Sequence, residues 1–426
     1  MTNDTLQPRA PWVSGAQDLY TIDTEVNGKP VSGFIAPGWE SLLEVFADNF
    51  RRDELGAAVS IVHRGHKVVD LWGGHIAPQG EPWSADTLVL FFSCSKILTT
   101  LSVHHLIGRG VLELDMPLID VWPELLAAQQ GATLRMALEH SLGLPALSRP
   151  LKVGAYDDHA YMADQLAQQT PFWTPGERVG YHPITFGFVL GEIVRRVAGQ
   201  SVGRYFEQYF AGPLNLDLFI GLDPALFPRT APVRRADLIP GEPLRPVAAA
   251  SQEIGSIQNL WLFNNGQWRG KHINSPEGLR HEIPAANGVG NARALAALCA
   301  VLVDEDKAAK EGLNKAALAA LQSVRSATEK DATLLCPTRF SSGLMLSMDN
   351  RHLPGADYFV MGRQAFGHVG AGGSFALADP EANLAMGYVM NQQGAGVLLN
   401  ERGQNLIDAT YDQLGFSGVH AGAWQP

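Results

Sequence analysis

Phe91-Phe92-Ser93-Cys94-Ser95-Lys96 sets a hydroxyl and an amine three residues apart, at the start of an apolar run through Ile97, Leu98, Leu101, Val103 and Leu106. The run stops at Gly108-Arg109-Gly110. Positions three apart share a helical face, so the Lys96 amine can reach the Ser93 hydroxyl. The helix start adds free N–H groups and partial positive charge. Serine becomes a nucleophile only when a base takes its proton, and a lysine whose pKa is lowered by burial and positive potential can be that base. This is the chemistry of Ser-x-x-Lys acyl-enzymes. The plainer reading of the same residues is an N-cap serine with a solvated lysine in the first turn.

Two further stretches could complete such a site. Tyr181 follows Gly176-Glu177-Arg178-Val179-Gly180 and precedes His182-Pro183. Beside a lysine ammonium it could run as a phenolate and exchange protons with the serine and a leaving group. Taken alone it reads as a packed turn tyrosine. Phe366-Gly367-His368-Val369-Gly370-Ala371-Gly372-Gly373-Ser374 crowds glycines beside a strand, where backbone can approach a ligand closely. An edge strand with a free N–H is what an oxyanion hole needs, and a tight β-turn with a surface histidine is the bland alternative.

Two other patterns compete for attention. Glu139-His140-Ser141-Leu142-Gly143 is one residue short of a Gly-x-Ser-x-Gly elbow, but its first glycine is Glu139 and the residues before it are helical in pattern, where the elbow needs a strand. His63 with His66, and His104 with His105, suggest a metal only until a carboxylate or cysteine partner is sought; hairpin-loop and helix histidines explain them. No metal or cofactor is expected.

The elements around these residues are legible from periodicity. Trp39 to Phe50 is an amphipathic helix, and Ala57–His63 and Lys67–Gly73 form a hairpin about Arg64-Gly65. Short helices follow over Leu134–His140, Tyr161–Gln168, Phe186–Val197 and Val202–Phe210, with more at Ala292–Val303 and Asn314–Gln322. The last third turns strand-like at 343–348, 358–361, 374–378 and 385–390, and a helix over 397–414 closes the chain. Residues 1–30 lack periodicity, and Pro224 to Pro246 is proline-rich and is expected to be a surface excursion. The early hairpin and the late meander are expected to share one sheet. This gives an α+β fold, a mainly antiparallel sheet flanked by helices. Residues 1–110 and 185–426 form its sheet-bearing domain and 111–184 an inserted helical subdomain.

Composition bounds the function. At 426 residues the chain can bury a large core without disulfides, and its three cysteines show no Cys-x-x-Cys spacing. The net charge of -11 argues against a basic nucleic-acid face. Met1 to Gln17 is polar and has neither a signal-peptide core nor a spanning segment, so a cytoplasmic protein off the membrane is expected.

The three chemical elements together resemble the serine β-lactamase and penicillin-binding-protein superfamily, above all its esterase branch, the family VIII carboxylesterases. Val69-Asp70-Leu71-Trp72-Gly73-Gly74, Trp83-Ser84-Ala85-Asp86-Thr87-Leu88, Val121-Trp122-Pro123-Glu124, Leu144-Pro145-Ala146-Leu147, Phe186-Gly187 and Asn287-Gly288-Val289-Gly290 carry the likeness further, in that group's order. The resemblance implies a β-lactamase/transpeptidase-like fold and an acyl-enzyme on Ser93. Lys96 and Tyr181 would be its proton-transfer pair, and the N–H groups of Ser93 and Ala371 its oxyanion hole, with His368 and Gly370 beside the substrate. Two departures stand out. Tyr181-His182-Pro183 replaces Tyr-x-Asn, and His368-Val369-Gly370 replaces Lys-Thr-Gly. The missing amide and ammonium would hold a β-lactam, so the resemblance implies a small-molecule ester substrate with a short acyl chain in preference to a β-lactam; a β-lactamase- or peptidase-like amide hydrolase, an acyltransferase or an inactive binding protein on the same fold are the competing readings.

Overall fold

The computed structural model describes residues 14–15, 18–236 and 243–426. Five strands come from the N-terminal part: β1 (Ser14–Gly15), β2 (Tyr20–Val26), β3 (Lys29–Ile35), β4 (Gly56–His63) and β5 (His66–Gly74). The next four, β6 (Leu88–Leu90), β7 (Leu218–Phe219), β8 (Thr230–Ala231) and β9 (Val289–Gly290), form a small separate sheet. The last six that join the main sheet are β10 (Ser326–Thr328), β11 (Thr338–Phe340), β12 (Met345–Leu346), β13 (Phe366–Val369), β14 (Phe375–Asp379) and β15 (Leu384–Met390). Their order is β10-β11-β12-β13-β14-β15-β4-β5-β3-β2, antiparallel throughout, with β1 parallel to β5. The two ends of the chain meet where β15 pairs β4, from Leu384 opposite His63 to Met390 opposite Ala57.

Period-two alternation sorts the side chains of β15 into two cores. Leu384, Met386, Tyr388 and Met390 face the layer that holds helix α1 (Glu40–Arg51) and the C-terminal helix Glu401–Gln413. Ala385 and Val389 face the other layer, with the helix Ala292–Leu302. Between them, a Cβ on Gly387 would stand 2.5 Å from the Ala292 carbonyl oxygen. The small side of the strand lets that helix lie against the sheet. Helix α2 (Ser95–Gly108) belongs to the same layer and is buried from Ser95 to Leu106, on all its faces. A helix buried on every face is a core element, its polar side chains included, which is why α2 can hold a site rigidly.

Several expected elements differ in the structure. The stretch said to lack periodicity contains the β2–β3 hairpin, turned at Asn27-Gly28 with φ of 50° and 72°. Residues 358–361 form no strand; only Phe359 bridges to Met348. The segment expected as one helix to Phe210 changes to wider π turns at Glu207–Ala211. The closing helix begins at Glu401, capped by the Asn400 side chain, later than expected. The excursion after Pro224 carries a 3-10 turn at Pro224–Arg229 and strand β8, and it buries Ala231 and Val233. Residues 237–242 of it, like most of the first 17, lie outside the described residues.

Candidate active site

Ser93 sits in a 3-10 turn, Phe92–Cys94, that feeds α2. Phe92 has φ of +49°, a left-handed conformation that costs a bulky residue about 1–3 kcal/mol and is held only by surrounding contacts. Those contacts come from two glycine-bearing segments, one before β9 and one after β13. Phe91 N–H donates to the Gly288 carbonyl at 3.0 Å, and Gly288 N–H donates to Ser95 Oγ at 2.7 Å. On the other side, a Cβ on Gly370 would lie 2.1 Å from the Phe91 carbonyl oxygen. Glycine at 370 is therefore what lets the segment after β13 close on the serine turn.

Lys96 lies one turn into the helical stretch and is fully buried. Its Nζ is 3.1 Å from Ser93 Oγ, 2.7 Å from the Pro183 carbonyl oxygen and 3.0 Å from the Ala285 carbonyl oxygen. No carboxylate is in that set. Burial therefore drives its pKa well below the ordinary lysine value, with the nearby Cys94 opposing weakly. The geometry suits a neutral amine. Its two hydrogens go to the two carbonyls, and its lone pair is left for the Ser93 hydroxyl proton.

The Tyr181 ring packs under this amine, with Lys96 Nζ 4.8 Å from the ring centre. The phenol is buried, and burial pushes its pKa up; the Ser93 hydroxyl beside it pulls the other way. No described residue makes a well-formed hydrogen bond to the Tyr181 hydroxyl. This environment favours a protonated phenol beside a neutral amine, in line with the lysine-base reading of the sequence and against its alternative of a phenolate beside an ammonium. Three imidazoles surround it without adding charge. His182 donates Nδ1–H to the Gly180 carbonyl at 2.7 Å and accepts Leu144 N–H on Nε2 at 3.0 Å. His140 accepts His182 N–H on Nδ1 at 3.1 Å and lies 5.0 Å from the Tyr181 ring. Burial pushes His182 and His368 each down to about 3 and lowers His140 well below its usual value.

Asp331 fixes the tyrosine backbone. Its carboxylate is fully buried, accepts Tyr181 N–H at 3.0 Å on either oxygen, and also takes the N–H groups of Thr333 and Leu334 and the Thr338 hydroxyl. Nothing in the sequence marked it, because an aspartate after Glu329-Lys330 has the look of an exposed loop.

Among the described residues, no acceptor takes the backbone N–H of Ser93 or of Ala371. Both residues line one cavity of about 250 Å³, together with Tyr181, Phe92, Pro183, Leu334 and several aromatic side chains. Two free N–H groups in one wall can receive the charge that develops on a carbonyl oxygen. His368 is elsewhere. Its ring is fully buried beneath Tyr181, 5.9 Å centre to centre, with Nδ1 2.8 Å from the Val369 carbonyl oxygen, and neither it nor Gly370 is part of the cavity wall. The competing serine, Ser141, follows the short helix Leu134–Leu138 and sits on no strand. His104 and His105 are bonded to the Ser342 carbonyl and the Tyr205 hydroxyl, and no group of three potential metal ligands occurs among the described residues.

The family model described as Beta-lactamase matches residues 33–410, nearly the whole chain. The chain belongs to the beta-lactamase family. The beta-lactamase-family protein of Mycobacterium tuberculosis (strain ATCC 25618 / H37Rv) named Esterase/beta-lactamase LipL is 29% identical over 408 residues, 92% of this chain and 88% of that one. A solved penicillin-binding-protein homologue from Caulobacter crescentus is 31% identical with a TM-score of 0.77, and a family VIII carboxylesterase is 29% identical with a TM-score of 0.76. Each match covers 90% of this chain and 99% of the other. The chain is thus a hydrolase with the β-lactamase/transpeptidase-like fold, as the motifs led one to expect. Pro183, at the position of the asparagine in the Tyr-x-Asn pattern, offers Lys96 its main-chain carbonyl, and no helix among the described residues is long and apolar enough to cross a membrane.

Proposed function

We propose that this beta-lactamase-family hydrolase is a serine esterase that works through an acyl-enzyme on Ser93. The observation that carries the reading is the uncompensated Lys96 amine 3.1 Å from Ser93 Oγ. Ser93 Oγ attacks the ester carbonyl while its proton passes to Lys96 Nζ. The oxyanion takes the N–H groups of Ser93 and Ala371. Collapse of the intermediate breaks the bond to the alcohol oxygen, which takes the proton of the Tyr181 phenol, and the phenol is reprotonated from Lys96. Water then repeats the sequence on the acyl-enzyme and frees the acid. Esters are favoured over β-lactams because the position of the Lys-Thr-Gly ammonium holds a neutral, buried His368. The likeness to a family VIII carboxylesterase and to the Esterase/beta-lactamase LipL supports an ester substrate.

The test is a panel of short 4-nitrophenyl esters, a cephalosporin and an amide, assayed with wild type, Ser93→Ala and Ser141→Ala. Ester turnover should exceed cephalosporin turnover in kcat/KM, vanish in Ser93→Ala and persist in Ser141→Ala. A fluorophosphonate adduct on the peptide bearing Ser141, or equal rates on ester and cephalosporin, would refute the assignment.

A further inference from the structure

The cavity at Ser93 has a polarity that the cleavage steps leave unused. Arg235 and Arg269 are its charged wall residues, and no aspartate or glutamate lines it. This occurs in a chain whose acids outnumber its lysines and arginines by 43 to 32. Both arginines are exposed, which puts them at the solvent end of the cavity. Neither guanidinium has an ion-pair or hydrogen-bond partner among the described residues. Two more wall residues, Trp261 and Trp268, have buried indole N–H groups with no acceptor. The wall amides are engaged within the protein: Asn265 with Leu262 and Gln267, Gln393 with the Ala371 carbonyl. The wall thus offers two guanidinium groups and no carboxylate to receive them, while the two indole N–H groups are buried behind its surface. The same wall is largely hydrocarbon, with Ile184, Leu262, Ile273 and Leu334 among its residues.

A pocket of this kind suits a ligand with an apolar body and an anion, because guanidinium groups without a protein carboxylate are free to make charge-assisted bonds to an anionic acceptor on the ligand. Resting on the esterase reading, we infer that the ester this enzyme takes carries a carboxylate at the end remote from the scissile bond, bound by Arg235 and Arg269. The charge adds no chemical step. It orients the ester so that the carbonyl meets Ser93, and it selects against neutral esters of equal length.

Two matched pairs test this in the intact enzyme: mono-4-nitrophenyl suberate against 4-nitrophenyl octanoate, and the acetate ester of 8-hydroxyoctanoate against octyl acetate. In at least one pair the anionic member should be preferred by about tenfold in kcat/KM at low salt, the scale of two charge-assisted contacts at an exposed site. That ratio should fall toward one in Arg235→Gln/Arg269→Gln, and in wild type as salt is raised, an arm that needs no variant to fold. Hydrolysis of the neutral esters without preference in either pair, or a preference that survives both the substitutions and the salt, overturns the inference alone. Hydrolysis of none of the four esters overturns the esterase reading beneath it.

Discussion

Both carboxylate oxygens of Asp331 stand 3.0 Å from the backbone N–H of Tyr181, so a residue 150 positions away in sequence sets where the phenol lies. Asp331→Asn keeps the shape but turns an acceptor into a donor among N–H groups that need acceptors. The unmatched groups should lower stability by about 1–3 kcal/mol. A displaced phenol should lower kcat by roughly 10–100-fold with KM little changed. Thermal denaturation and steady-state kinetics on a 4-nitrophenyl ester check both; an unchanged kcat would mean that Tyr181 is held by its ring packing alone.

Gly370→Ala probes the close approach that brings Ala371 beside the nucleophile. Its Cβ would need the space of the Phe91 carbonyl oxygen, 2.1 Å away, so the serine turn and the segment after β13 must part. Losing one oxyanion donor costs about 10²–10³-fold in kcat. The same loss should appear for acylation by a fluorophosphonate, measured by intact mass, since both reactions place an oxygen in that hole. A variant that keeps the wild-type rate would show that Ala371 N–H is not a donor to the oxyanion.

The candidate nucleophile and base were legible in sequence, and several of the groups that hold them in place were not. Ser93 and Lys96 announce themselves by spacing, and the structure brings them together with Tyr181 and Ala371 at one cavity. The two carbonyls that hold Lys96 belong to Pro183 and Ala285, residues whose identity says nothing about their main-chain oxygen. His140 was set aside with its decoy serine, yet its ring packs on Tyr181. Its φ of +59° ends the short helix before it and turns it inward, a property of the backbone path. The β2–β3 hairpin did carry a signal, the Asn27-Gly28 pair that suits a two-residue turn, but β2 is largely exposed and lacks the apolar alternation that betrays a buried strand, and the inward face of β3 includes Gly33 between Val31 and Ile35.

Lys96 and Tyr181 should behave as one proton-transfer unit, because the phenol can reload only from the amine beneath which it packs. Lys96→Ala and Tyr181→Phe should each lose on the order of 10³-fold in kcat/KM, and the double variant should be little worse than the poorer single. Chelator should leave wild-type rates unchanged. Strictly additive losses in the cycle would assign the two residues to separate steps, and activity lost to chelator and restored by zinc would end the amine–phenol mechanism.

The state of the Lys96 amine can be read from stability as well as rate. Burial lowers its folded pKa well below the ordinary lysine value of 10.5. Between the folded value and 10.5 the unfolded chain binds a proton at this position that the folded chain does not. By linkage, wild-type stability gains a positive slope with pH across that window, so the lysine costs most on its acid side and nothing above 10.5. Lys96→Met removes the titration. It also removes the hydrogen bonds to the Pro183 and Ala285 carbonyls, which shifts the whole curve without tilting it. The stability of the variant relative to wild type should therefore decline steadily as pH rises toward 10, measured by urea denaturation at each pH. Ester turnover by wild type should rise with pH through the folded pKa, as the amine is freed to accept the serine proton. A difference between variant and wild type that is flat in pH would mean that Lys96 keeps its proton in the fold, and the base that activates Ser93 would have to be another group.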